Sequence, residues 1–151
     1  MYLSSEHAQS RVAAGGVNAG APQVDRGYSK DRMSDVADFV LVLFHSGTNA
    51  HLLHLQTDSF SAHSALKNYY KEIIKLTDSF AESYQGKFGL ITDYSSDYHI
   101  PMDEPIAYVS GLQAFVQESR QHLPQDSELQ NLVDEIADLI NETLYKLKFL
   151  N

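Results

Sequence analysis

The chain has 151 residues, 43% of them hydrophobic, enough for one domain with a real core and too few to expect two. It contains no cysteine, which excludes disulfides, thiolate metal sites and cysteine nucleophiles. Twenty acids against 11 bases give a net charge of −9, which argues against general affinity for nucleic-acid phosphates. No apolar run approaches the ~20 residues of a membrane span. These counts predict a soluble, acidic, single-domain protein with no membrane partner. Its chemistry must come from the placement of seven histidines.

Residues 1–30 differ from the rest. They are rich in Gly, Ala and Ser, carry almost no large aliphatics, and show no period of 2 or 3.6. A signal peptide needs a basic start and an apolar stretch of ~7–15 residues, and neither is present. The segment reads as a flexible N-terminal arm of charge +1, which leaves −10 on residues 31–151. Three bases in such an arm are too few to grip DNA. Nucleic acid is therefore not an expected partner.

From Asp31 the pattern turns helical. Ser34 or Asp31 can cap a first helix over roughly 32–56, with Val36, Phe39/Val40, Leu43/Phe44, Ala50 and Leu53 facing inward. Gly47 in its middle is a weak point or a place of close helix approach. Asp58 or Ser59 can cap a second helix running to about Gln85 and stopped by Gly86. Its stripe is Phe60, Leu66, Tyr70, Ile73/Ile74, Thr77, Phe80/Ala81 and Tyr84. An aperiodic stretch ending at Pro101 follows. Asp103 then caps a third helix with Pro105 in its first turn and Ile106, Val109, Leu112, Phe115/Val116 and Ser119 inward, closed by Pro124. A fourth helix spans about 126–149, with Leu129, Leu132/Val133, Ile136, Leu139/Ile140, Leu144 and Leu147 inward. Four helices make an antiparallel bundle the natural all-α architecture. The long connection between the second and third helices makes it the ferritin-like variant.

The informative stretch for chemistry runs from His51 to Glu82. His51 and His54 stand about one turn apart on one face of the first helix. His63 lies at one edge of the second helix's apolar arc, and Asp78 and Glu82, an i,i+4 acid pair, lie further out on the same side. One chain cannot bring His63 and Asp78 together, because fifteen residues span ~22 Å of helix. A two-fold partner with its second helix antiparallel could. Imidazole plus carboxylate is a ligand set for iron, zinc or manganese. Each residue also has a plain reading: packed or solvated helix-end histidines, and a solvated acidic face with Lys75 near enough to pair. Asp134, Glu135 and Asp138 read as the outer face of the last helix. Tyr69, Tyr70 and Tyr84 read as core and interface residues, and His99 with Asp93 and Asp97 as a solvated crossover.

Residues 45–86 resemble the first two helices of Dps, the DNA-binding, iron-oxidising mini-ferritins. HLQT-x-S-x-x-x-H-x-A-L-x-x-Y-Y (from His54) and D-x-x-x-E-x-x-Q-G (from Asp78) also resemble small phage-encoded proteins of this ferritin-like type. The resemblance implies an iron site shared between subunits. His51 (or His54) and His63 come from one chain, and Asp78 with Glu82 from its two-fold neighbour. It implies a homo-oligomer, in full form a closed dodecamer, located in a host cytoplasm or a virion. Two positions depart from the family pattern: Lys67 stands where an acidic ligand is expected, and Leu52 where a Trp is usual. An ammonium at 67 removes a carboxylate and adds positive charge beside the ions, which points to a mononuclear or weakened ferroxidase. The alternative is a structural or adaptor protein, such as a virion component that meets its neighbours through residues 1–30 and carries out no metal chemistry.

Overall fold

The computed structural model describes residues 30–98 and 104–150. Residues 1–29 of the arm, His99 and the Asp103 cap lie outside them. The described residues form four α-helices: α1 Lys30–Gln56, α2 Phe60–Phe88, α3 Pro105–Ser119 and α4 Ser127–Phe149. A single 3₁₀ turn, Arg120–His122, follows α3, and no strand occurs among the described residues.

The helix ends follow local chemistry, with corrections to the sequence expectation. α1 already begins at Lys30, so Ser34 lies inside it rather than capping it. Ser59 caps α2, its side chain accepting from the Ala62 N–H at 3.2 Å. Gly86 does not stop α2. The helix runs on to Phe88, whose ring packs beside Tyr84 at 5.1 Å, and ends at Gly89 with φ +99°, a conformation that favours glycine. Glu104 caps α3, its carboxylate accepting from Ile106 and Ala107. Asp126 occupies the N-cap of α4 but makes no side-chain capping bond, because its carboxylate is drawn to Lys87.

The expected stripes are mostly buried: Val36, Phe39, Val40 and Leu43 on α1, and Leu129, Val133, Ile136 and Ile140 on α4, have no exposed surface. Phe39 sits at the junction of three helices, edge-on to Phe80 at 5.1 Å and stacked with Phe115 at 6.1 Å. Two expected core residues face out instead: Phe60 is 84% and Ile74 46% exposed. Tyr69, rather than Tyr70, is the fully buried tyrosine of that pair.

α1 packs along α2, α2 along α4 and α4 along α3, while α3 meets α1 more sparsely than these. Lys87 at the end of α2 pairs with Asp126 and Glu128 at the start of α4, so those helices run antiparallel. The stack of Phe39 on Phe115 and the Asn49–Tyr108 bond make α1 and α3 antiparallel too. Between α2 and α3 the chain follows α1, with Thr92 at Met33 and Tyr98 at His45 and Asn49.

Met33–Gln56 is long and apolar enough, by length and composition, to cross a membrane, contrary to the expectation from run lengths. Its buried residues recur at three- and four-residue steps against the other helices, the pattern of a core helix.

Lys87 holds the Asp126 and Glu128 carboxyls below the usual carboxylate range, and they in turn raise its own pKa. Depressed carboxylate values stabilise the fold above the ordinary carboxylate range, and that contribution is lost as pH falls through it. Lys87 and Glu128 are exposed and Asp126 is half-buried, so solvent screening keeps the effect small. Lys87→Met is expected to lower the melting temperature slightly at about pH 7, and the difference from wild type to shrink as pH falls through and below the ordinary carboxylate range of about pH 4. Thermal melts of both proteins across that range check it.

Candidate functional site

Only Thr57, Asp58 and Ser59 separate α1 from α2, so the two helices form a tight hairpin. The turn is tied by Thr57 N–H donating to the Leu53 carbonyl at 3.1 Å and Ser59 N–H to the Thr57 hydroxyl at 3.2 Å. Closing it brings His54, in the last turn of α1, against His63, in the first turns of α2. Their rings stack with centroids 3.6 Å apart. His54 Nδ1 bonds the His63 carbonyl at 2.7 Å, and His63 Nδ1 bonds the His54 carbonyl at 2.9 Å.

A carbonyl only accepts, so both Nδ1 atoms carry the proton and donate. The His54 carbonyl lies in the last turn of α1, where carbonyls lack a helical partner, and the His63 ring supplies one. A donating Nδ1 leaves Nε2 as the atom free to ligate, the arrangement that ligating histidines adopt when a carbonyl holds their other nitrogen.

His51 completes the cluster. Its ring stacks on Tyr70 at 4.1 Å, while His54 meets the same tyrosine edge-on at 5.4 Å and His51 at 5.8 Å. Burial separates the two histidines that spacing left equivalent. His54 is 6% exposed, His63 is half-buried and His51 is exposed. His54 is therefore a packed element of the turn, and His51 and His63 are the two imidazoles of the cluster that an external group can reach.

Asp78 and Glu82 do not join them. Both are exposed on α2, four turns and more from His63, and neither makes an ion pair among the described residues. Lys75, expected beside them, pairs with Glu72 at 2.9 Å. Lys67 is exposed one turn after His63, and Leu52 is exposed as well. Among the described residues no three His, Asp or Glu side chains converge as a metal site would require. The residues thus fit a metal only as two half-sites, imidazoles at one end of α2 and carboxylates towards the other.

Sequence reasoning missed a second polar system, on α1. Ser46 donates to the Leu43 carbonyl at 2.6 Å and accepts from the Tyr69 hydroxyl at 2.8 Å. Asn49 donates to the Tyr108 hydroxyl and accepts from Tyr98, both at 3.0 Å. Burial pushes the Tyr69 hydroxyl well up and Tyr108 up to about 12, so both stay protonated. The available signal was two polar residues, Ser46 and Asn49, interrupting an apolar stripe at helical spacing. A shallow cleft of about 380 Å³ between α3 and α4 offers Gln113, Gln117 and Asn141 and no titratable side chain. Asp134, expected on the outer face of α4, is exposed and bonds Arg120 at 2.5 Å.

His54→Ala removes the stack, takes from the His63 carbonyl its ring donor and opens a void at the turn, an expected cost of about 2–4 kcal/mol. His51→Ala at an exposed position should cost less than about 1 kcal/mol. Urea unfolding of the two variants measures the difference, and equal costs would contradict a clasp centred on His54.

No curated protein and no solved structure matches the chain. Residues 54–147, from His54 in the clasp to the last buried leucine of α4, match DUF5856, a family of unknown function. The chain belongs to that family.

Proposed function

We propose that this chain is a ferritin-like, Dps-like protein that binds a divalent transition metal, iron before zinc or manganese, at a two-fold interface between subunits. His51 and His63 of one subunit, with Asp78 and Glu82 of its neighbour, would hold the ion. The observation that carries the reading is the carbonyl-fixed His63 ring and an accessible His51, each meeting His54, with two exposed, unpaired carboxylates on the helix of His63. Further support comes from the helix order α1–α2–α4–α3 and the segment lying along α1, which suit a ferritin-like bundle with one long crossover. Bound iron would supply a redox-active centre. Lys67 in place of a carboxylate argues that any ferroxidase activity is weak or lost. An origin in a phage, a dodecameric assembly and a place in the host cytoplasm or the virion belong to the same proposal.

One observation favours a second reading, a structural or adaptor protein without metal chemistry. The Nδ1 atoms of His54 and His63 are already satisfied within the turn, so these residues have a structural reason to be there.

The test is metal retention. Protein loaded with Fe(II) or Zn(II), desalted and assayed by elemental analysis should hold metal. Asp78→Asn with Glu82→Gln should lower the affinity by more than about 100-fold, as expected for lost ligands, with the helical circular dichroism unchanged. Equal metal content in the two proteins would sink the metal reading and leave the structural one.

A further inference from the structure

The outward stripe of α2 reads Lys67, Lys71, Ile74, Asp78, Glu82, at steps of four, three, four and four residues. At 3.6 residues per turn these positions fall within an arc of roughly 80°. All five are exposed. None of the four charged residues takes part in an ion pair among the described residues, although Lys75, Lys87, Arg120 and Lys146 all do. Ile74 leaves nearly half its surface in solvent, while its Cγ1 and Cδ1 pack over Gly47 of α1. The stripe is thus basic at one end, acidic at the other and apolar in the middle.

We propose that this stripe is a self-complementary interface for a second copy of the chain, with the two α2 helices antiparallel about an axis near Ile74 and Lys75. In a two-fold interface, if residue i meets residue j of the partner, residue j meets residue i. The register that aligns opposite charges sets Lys67 against Glu82 and Lys71 against Asp78, each pair occurring twice, with the two Ile74 side chains beside the axis. A parallel arrangement would set lysines against lysines and acids against acids. Charge sign therefore selects both the partner and the orientation. Exposed ion pairs are individually weak, so the four act as a specifying set around an apolar centre.

The inference rests on the antiparallel α2 pairing that the metal reading also uses, and not on any metal. It assigns Lys67 a role: its ammonium is a built-in counter-charge for carboxylates that the metal reading gives to an ion.

Sedimentation of the full chain with a chelator present tests it. Wild type should associate. Raising salt from about 0.05 M to about 0.5 M, which shortens the Debye length roughly threefold, should weaken that association by about tenfold or more. Lys67→Glu/Lys71→Glu should lose the association, and so should Asp78→Lys/Glu82→Lys, both keeping the wild-type circular dichroism. Mixing the two variants should restore it, because one stripe is then wholly acidic and the other wholly basic. A monomeric wild type, variants that still associate, or variants that fail to pair on mixing would each overturn the proposal. An assembly that needs metal and ignores the lysine reversal overturns it while leaving the metal reading standing. Chelator-resistant, charge-dependent association of a protein that retains no metal does the converse.

Discussion

How tightly α1 closes on α2 governs the rest of this molecule. The approach is fixed at several levels along the hairpin. At the turn, His54 and His63 exchange ring and carbonyl hydrogen bonds and stack. Further down, Gly47 lets the helices come so near that a Cβ there would stand 3.1 Å from Ile74 Cγ1. Beside it the Ser46–Tyr69 bond ties the same two helices, and at the far end Phe39 meets Phe80. With one side of α2 committed to α1 and a second to α4, only a narrow arc is left outward. Every group available to a partner on this helix must come from that arc.

Most of the fold was legible because burial is periodic. The stripes on α1 and α4 are apolar at helical spacing, and the structure buries them as expected. What was not legible depends on where neighbours stop. Ile74 and Phe60 belong to the apolar pattern by spacing. Phe60 is the first residue of α2, where no adjacent turn covers it, and Ile74 lies at the margin of the α1 contact. Gly86 looked like a terminator because glycine is weak in helices. The real terminator is the later glycine, Gly89, because extending α2 buries Phe88 beside Tyr84 and lets the Gln85 side chain accept from the Ile91 N–H. Spacing puts Asp126 inside the fourth helix, and it stands instead at the N-cap position, where an ammonium from another helix competes for its carboxylate.

The histidine site shows the same division. Spacing placed His51 and His54 on one face and could carry the choice no further, since both are within reach of α2. Burial makes the distinction, by turning His54 into the packed half of a reciprocal clasp. The clasp itself was hidden, because a ring donating to a carbonyl nine residues away leaves no trace in periodicity. The separation of Asp78 and Glu82 from the histidines, in contrast, followed from helix rise alone, and the structure keeps them apart.

Lys67 links the two proposals for α2. Carboxylates brought together at an interface need a counter-charge, since like charges in close contact and shielded from water disfavour one another. A metal ion provides it with directional bonds and calls for imidazoles nearby. An ammonium provides it with three donors on a flexible stem and calls for nothing further. Both ingredients stand near one another, imidazoles at the turn that opens α2 and the stripe's lysines between them and the acids. In an antiparallel pair, the lysines of one copy lie nearest the acids of the other, so the ammonium groups reach the carboxylates before the imidazoles do. An ion entering such an interface must displace a charge already in place. Its affinity is then set by that exchange as much as by the quality of its ligands.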